Sequence, residues 1–168
     1  MDATPRWLDP EERRAWLAYV VSSTHLADHL NRQLRRDAGM THADYVLLTS
    51  LSSAPDHQLT MSKLAEHLRI TRSRLTHAVT RLQKAGYVDR RDCPTNRRNQ
   101  LAVLTPEGMR LLEEAAPGHV EAVRQAVFDA LTPEQVGQLA EIGEAINAAL
   151  QRIDESSEDE QTLPWRRR

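Results

Sequence analysis

Apolar positions recur at helical spacing along most of the chain. Leu17, Val20, Val21, Thr24, Ala27, Leu30 and Leu34 share one side of a helix. Asp9-Pro10-Glu11-Glu12 supplies its start: a cap, a proline at the first helical position, then acids at the positive helix end. The pattern runs to about Asp37, and Gly39 stops it. Thr41 to Asp44 resembles a capping box and opens a second helix to about Ser53, with Tyr45, Leu47, Leu48 and Leu51 on its apolar side. Pro55 and Asp56 break it. Thr60 caps a short helix, Met61 to Leu68, and Thr71 caps another to about Ala85, ended by Gly86.

The period then changes. Tyr87 to Arg91 and Gln100 to Leu104 read as two short strands around a hairpin loop, Asp92 to Asn99. Thr105-Pro106-Glu107 and Thr132-Pro133-Glu134-Gln135 open two further helices, the last carrying Val136, Leu139, Ile142, Ile146, Ala149 and Ile153. The five acids and two serines from Asp154 to Glu160 read as a frayed tail. The expected fold is mainly α with a small β wing. A winged helix-turn-helix lobe (41–104) is flanked by long helices (9–38 and 105–153), with an N-terminal extension (1–8) and a flexible tail (154–168).

The helix from Arg72 to Ala85 separates two surfaces. Leu75, Ala78, Val79 and Leu82 form one side; Ser73, His77, Thr80 and Lys84 oppose them, with Arg74 and Arg81 alongside and Thr76 at the other edge. A small-polar and basic helix face of this kind fits a DNA major groove, where it offers donors to guanine edges and phosphates. From Arg69 to Arg98 there are nine cations (Arg69, Arg72, Arg74, Arg81, Lys84, Arg90, Arg91, Arg97 and Arg98) against Asp89 and Asp92. No acid lies between Glu66 and Asp89. The segment is +7 in a chain of net charge −2, so the remainder is −9. A solvated helix face usually mixes signs, and phosphate neutralisation accounts for a face that does not.

Composition narrows the class. The 168 residues fit one domain, and 4% aromatic content with abundant Leu, Ala and Val favours helical packing over a β sandwich. A single cysteine, Cys93, excludes an internal disulfide and a four-cysteine zinc site, which suits a reducing cytoplasm. Met1 to Pro10 has no apolar run, and no stretch approaches the ~20 apolar residues of a membrane helix. There is no glycine-rich phosphate loop or nucleophile elbow, so neither an enzyme nor a cofactor is expected.

Leu59-Thr60-Met61-Ser62-Lys63-Leu64-Ala65, Ile70-Thr71-Arg72-Ser73, Arg81-Leu82-Gln83-Lys84-Ala85-Gly86-Tyr87-Val88 and Leu104-Thr105-Pro106-Glu107-Gly108 together resemble the MarR family of regulators. The resemblance covers roughly Asp9 to Ile153. It implies a homodimer whose terminal helices intertwine, with two winged lobes on successive turns of a palindromic operator in double-stranded DNA. It implies that Ser73, Arg74, Thr76, His77 and Arg81 face DNA, with Arg98 in the wing; the polar, basic helix face and hairpin add Thr71, Arg72, Thr80, Lys84 and Arg97 as candidate DNA contacts. The family's wing carries Asp-x-Arg; here Asn96 replaces the Asp that steadies the arginine, and Arg98 keeps the arginine's place.

The family commonly binds small aromatic or phenolic effectors between the dimer helices and the lobe. Trp16, Tyr19, His25, His29 and Tyr45 either line such a pocket or pack the dimer interface, and Trp7 is a candidate cover for the partner subunit. His25 and His29, at i and i+4, are too few to bind zinc alone. Cys93 lies in the wing among arginines that lower a thiol pKa, yet reads as a bystander. The competing class is a winged helix serving as a protein-interaction scaffold, which would not need a surface of one sign.

Overall fold

The computed structural model describes residues 5–93 and 96–162, with the side chains of residues 96–98 and 155–162 outside the description. The element order is α1 (Pro10–Ala38), α2 (His42–Ser52), β1 (Gln58–Thr60), α3 (Met61–His67), α4 (Arg72–Lys84), β2 (Val88–Cys93), β3 (Asn96–Leu104), α5 (Pro106–Ala126) and α6 (Pro133–Thr162). Two compact units divide after Val123.

The helix starts are chemical. Asp9 accepts hydrogen bonds from the N–H groups of Glu11 and Glu12, while the Glu12 carboxylate accepts one from the Asp9 N–H, closing a capping box. Thr41 and Asp44 do the same for α2, and Thr132 and Gln135 for α6. Gly39 ends α1 at φ 65°, a left-handed conformation that only glycine adopts without cost.

In the first unit the core gathers Leu34 of α1, Leu47, Leu48 and Leu51 of α2, Leu64 of α3, Leu75 and Val79 of α4, and Val88 and Ala102 of the sheet. Each is essentially solvent-free, and burying a leucine or valine stabilises the fold by about 1.5–3 kcal/mol. The sheet is antiparallel in the order β1-β3-β2. Leu59 pairs with Ala102, and Arg90 pairs with Ala102 from the other side, so β3 is the central strand.

The expected winged helix-turn-helix fold is present, with three corrections. The sheet has a third strand, β1, too short to show a period. β3 begins at Asn96, so pairing invades the expected loop. In the second unit α6 continues through Thr162, where a flexible tail was expected after Ile153. No glycine or proline interrupts the sequence between Gly143 and Pro164, so nothing in the backbone chemistry stops the helix there. No helix among the described residues is long and apolar enough to cross a membrane.

Candidate nucleic-acid interface

The helix pair α3–α4 is set by its caps and by one strained residue. Thr60 Oγ1 accepts from the Lys63 N–H (3.2 Å), and Thr71 Oγ1 from the Arg74 N–H (3.3 Å). Between them Arg69 sits at φ 52°. The N–H groups of Arg69 and Ile70 donate to the carbonyls of Glu66 (3.0 Å) and Ala65 (3.1 Å), which reverses the chain within a few residues.

Leu75, Val79 and Leu82 bury one side of α4, and Ala78 is half-buried beside them. Thr71, Arg72, Ser73, Arg74, Thr76, His77, Arg81 and Lys84 are exposed, and Thr80 is half-buried. The threonine hydroxyls donate to their own helix, Thr76 to the Arg72 carbonyl (2.8 Å) and Thr80 to the Thr76 carbonyl (2.7 Å). Their oxygens therefore remain acceptors.

Arg81 and Arg90 are tied to other elements of the fold. Arg81 Nη2 lies 2.5 Å from Asp44 Oδ1 of α2, and the Asp44 side chain is only 6% exposed. The other Asp44 oxygen accepts from Thr41 Oγ1 (2.6 Å) and the Thr41 N–H (3.2 Å). One carboxylate thus caps α2 and anchors α4. Arg90 of β2 donates from Nη2 to the Thr76 carbonyl (2.8 Å) and to Thr80 Oγ1 (2.7 Å), tying the wing to the back of α4. Its Nε is buried without a hydrogen-bond partner. Arg91 lies on the surface, 3.7 Å from Asp89. Arg97 and Arg98 open β3, and their side chains lie outside the described residues. Cys93 is buried at the end of β2.

The candidate pocket residues fall on two helices: the Trp16 and Tyr19 rings lie 6.2 Å apart on α1, and Tyr45 lies on α2. Tyr45 lines a cavity of about 390 Å³ together with Val46, Thr49, Leu59, His67 and His119. Trp16, Tyr19, His25 and His29 stand exposed on α1. The reason is where α1 is covered: its buried residues begin at Leu30 and continue with Gln33 and Leu34. The Tyr45 ring lies 4.3 Å from that of His119 of α5, which lies 5.7 Å from His42. Burial lowers the pKa of both histidines, and for His119 the nearby His42 charge lowers it further. Burial raises that of Tyr45. Gln33, His42 and His119 are each one polar residue among many in their segments, and only the packing of α1, α2 and α5 brings them together. Gln33, 4% exposed on a helix side shared with leucines, carried the only signal.

A helix-turn-helix with an antiparallel wing, presenting an acid-free outer helix face, defines a winged-helix protein. The MarR family model matches residues 38–99. The chain is 53% identical to Sco3205, a MarR family transcriptional regulator from Streptomyces coelicolor whose crystal structure is in complex with DNA. That likeness covers 89% of this chain and 94% of Sco3205, with a TM-score of 0.85. AbsC, a MarR family transcriptional regulator from the same organism, is 34% identical, with 88% and 99% covered and a TM-score of 0.83. The HTH-type transcriptional regulator PrsX of Escherichia coli is 39% identical over 71 residues, 42% of this chain and 43% of PrsX, so the match spans less than half of that relative. The transcriptional repressor MprA of Escherichia coli is 27% identical, with 80% of this chain and 73% of MprA covered. The chain belongs to the MarR family of transcriptional regulators.

Proposed function

We propose that the protein is a repressor that binds double-stranded DNA sequence-specifically as a homodimer on a palindromic operator, and that a small aromatic or phenolic effector modulates it. The observation that carries this reading is the outer face of α4. Arg72, Ser73, Arg74, Thr76, His77 and Lys84 are all exposed there, with no acid between Glu66 and Asp89. Arg74 and His77 are the candidate base readers; Thr71, Arg72 and Lys84 are candidate phosphate contacts. Arg97 and Arg98 remain the proposed wing contacts. Arg81 enters mainly through its hold on Asp44. The DNA complex of Sco3205 and the repressor name of MprA support the same reading.

Dimerisation is supported by apolar stripes that face solvent in the single chain. Trp16, Leu17, Val20 and Val21 line α1, and Leu139, Ile142, Ile146, Leu150 and Ile153 recur at spacings of three and four along α6. Such stripes mark helix partners. Two lobes so joined would address half-sites about one DNA turn, roughly 34–36 Å, apart.

The test is selection of bound genomic fragments followed by sequencing, with sedimentation of the protein alone and with DNA. Recovery of a short inverted repeat bound by two chains is expected. Fragments without a common motif, or a monomer at working concentration, would overturn the proposal.

A further inference from the structure

Two bonds hold one stretch of α4 from other elements. Arg81 Nη2 meets Asp44 Oδ1 of α2 at 2.5 Å. Thr80, the residue before it, accepts through Oγ1 from Arg90 Nη2 of β2 at 2.7 Å, and the same nitrogen reaches the Thr76 carbonyl at 2.8 Å. Residues adjacent in a helix point about 100° apart around its axis. Rolling α4 would break one bond or the other, so together they fix its roll.

This arrangement commits both side chains. The half-buried Thr80 hydroxyl donates to the Thr76 carbonyl (2.7 Å) and accepts from Arg90. The Arg81 charge is matched by a carboxylate only 6% exposed, whose second oxygen accepts from Thr41 Oγ1 at 2.6 Å. A phosphate brought to Arg81 would meet an ion pair of zero net charge. Arg72, Ser73, Arg74 and His77 stand exposed in the first two turns of the helix, ahead of both Thr80 and Arg81.

From this we infer that Asp44 is a positioning residue for DNA recognition. Through Arg81, and together with the Arg90–Thr80 bond, it sets the angle at which the start of α4 meets the bases, while Thr80 and Arg81 themselves contact no DNA. The inference rests on the DNA-reading role proposed above, and it departs from the DNA-facing place that the family resemblance gives Arg81. Asp44 is an acid held against the basic helix, so its removal adds positive charge there. Bulk electrostatics therefore predicts that Asp44→Asn tightens binding to any duplex. Positioning predicts instead a selective loss on the operator.

The test is fluorescence anisotropy across salt concentrations, on the operator recovered by selection and on a scrambled duplex of equal length. Urea unfolding checks that each variant is folded. Asp44→Asn keeps an oxygen for the Thr41 bonds and removes the ion pair. It should cut the operator-to-scrambled affinity ratio by about tenfold or more, the weight of one misaimed base contact. Arg81→Met and Thr80→Val should each lower the same ratio with the salt slope unchanged. Arg72→Met, at a candidate phosphate contact, should reduce the slope by about 0.9 for each chain bound. An Asp44→Asn protein with the native ratio, a proportional loss on both duplexes, or a slope reduced by Arg81→Met would overturn the inference. A native protein that does not distinguish the two duplexes refutes DNA reading by α4 itself, and the inference falls with it.

Discussion

The Arg81 guanidinium closes on the Asp44 carboxylate at 2.5 Å, joining α4 to the capped start of α2. The two partners differ in environment: the arginine side chain is 58% exposed and the aspartate 6%. Removing either leaves the other poorly compensated, but the aspartate more so.

Asp44→Ala should therefore destabilise the fold by about 2–4 kcal/mol, since both a cap and a buried anchor are lost. Arg81→Ala should cost about 1–3 kcal/mol: the α2 cap survives, but the Asp44 carboxylate, 6% exposed, is left without its cation. Urea unfolding of both variants and of the double variant should give a coupling of at least ~1 kcal/mol. Additive losses would mean that the pair is only a surface contact.

Arg90 and Arg74 should separate by mechanism. Arg90→Ala loosens the wing from Thr76 and Thr80, so DNA affinity should fall while its salt dependence changes little. Arg74→Ala should cost about 1–3 kcal/mol on the operator and relax preference at one base position. Fluorescence anisotropy against operator and scrambled duplexes across salt concentrations checks both. Equal loss on both duplexes would refute base reading by Arg74.

Gly108 is fixed by close approach. A Cβ there would lie 2.2 Å from the Tyr87 carbonyl oxygen and 2.9 Å from Leu104 Cδ1. Gly108→Ala must push α5 away from the end of the wing, and should cost about 1–3 kcal/mol. A Cβ at Gly143 meets nothing within 4 Å, so Gly143→Ala should stabilise α6 by up to ~1 kcal/mol. Thermal unfolding of the two variants should move in opposite directions; a Gly108→Ala protein as stable as the parent would contradict the packing described.

Both His42 and His119 have depressed pKa values in the folded chain, because burial disfavours their charged forms. The unfolded chain then binds protons more readily than the folded one. The stabilising effect of keeping these rings neutral is complete above the ordinary histidine value of about 6.5 and is lost as pH falls below it toward the folded values. Unfolding free energy measured from pH 7.5 to 5 should fall, and His119→Phe should flatten the fall. An unchanged slope in that variant would remove His119 as a contributor.

Much of this architecture can be read in the chain because its signals are local. Asp9, Thr41, Thr60, Thr71 and Thr132 each mark a helix start within a few residues, and Leu75, Val79 and Leu82 declare the buried side of α4. What stays hidden depends on contacts distant in sequence. Arg81 reads as one more basic residue on an exposed face until α2 brings Asp44 to it. Arg90 looks like a wing contact, yet it bonds to α4. Tyr45 can be picked out as an aromatic, but its neighbour His119 lies on α5 and carries no mark in its own helix. The third strand escapes notice because Gln58–Thr60 is ordered by pairing with β3, not by its own pattern.

The most direct trial of the account is the affinity of the native protein for its selected operator and for a scrambled duplex of equal length, each titrated with salt. The account predicts tighter operator binding by about a thousandfold or more, with both affinities falling steeply as salt rises. Equal affinity for the two duplexes, or binding indifferent to salt, would contradict the claim that the outer face of α4 reads DNA.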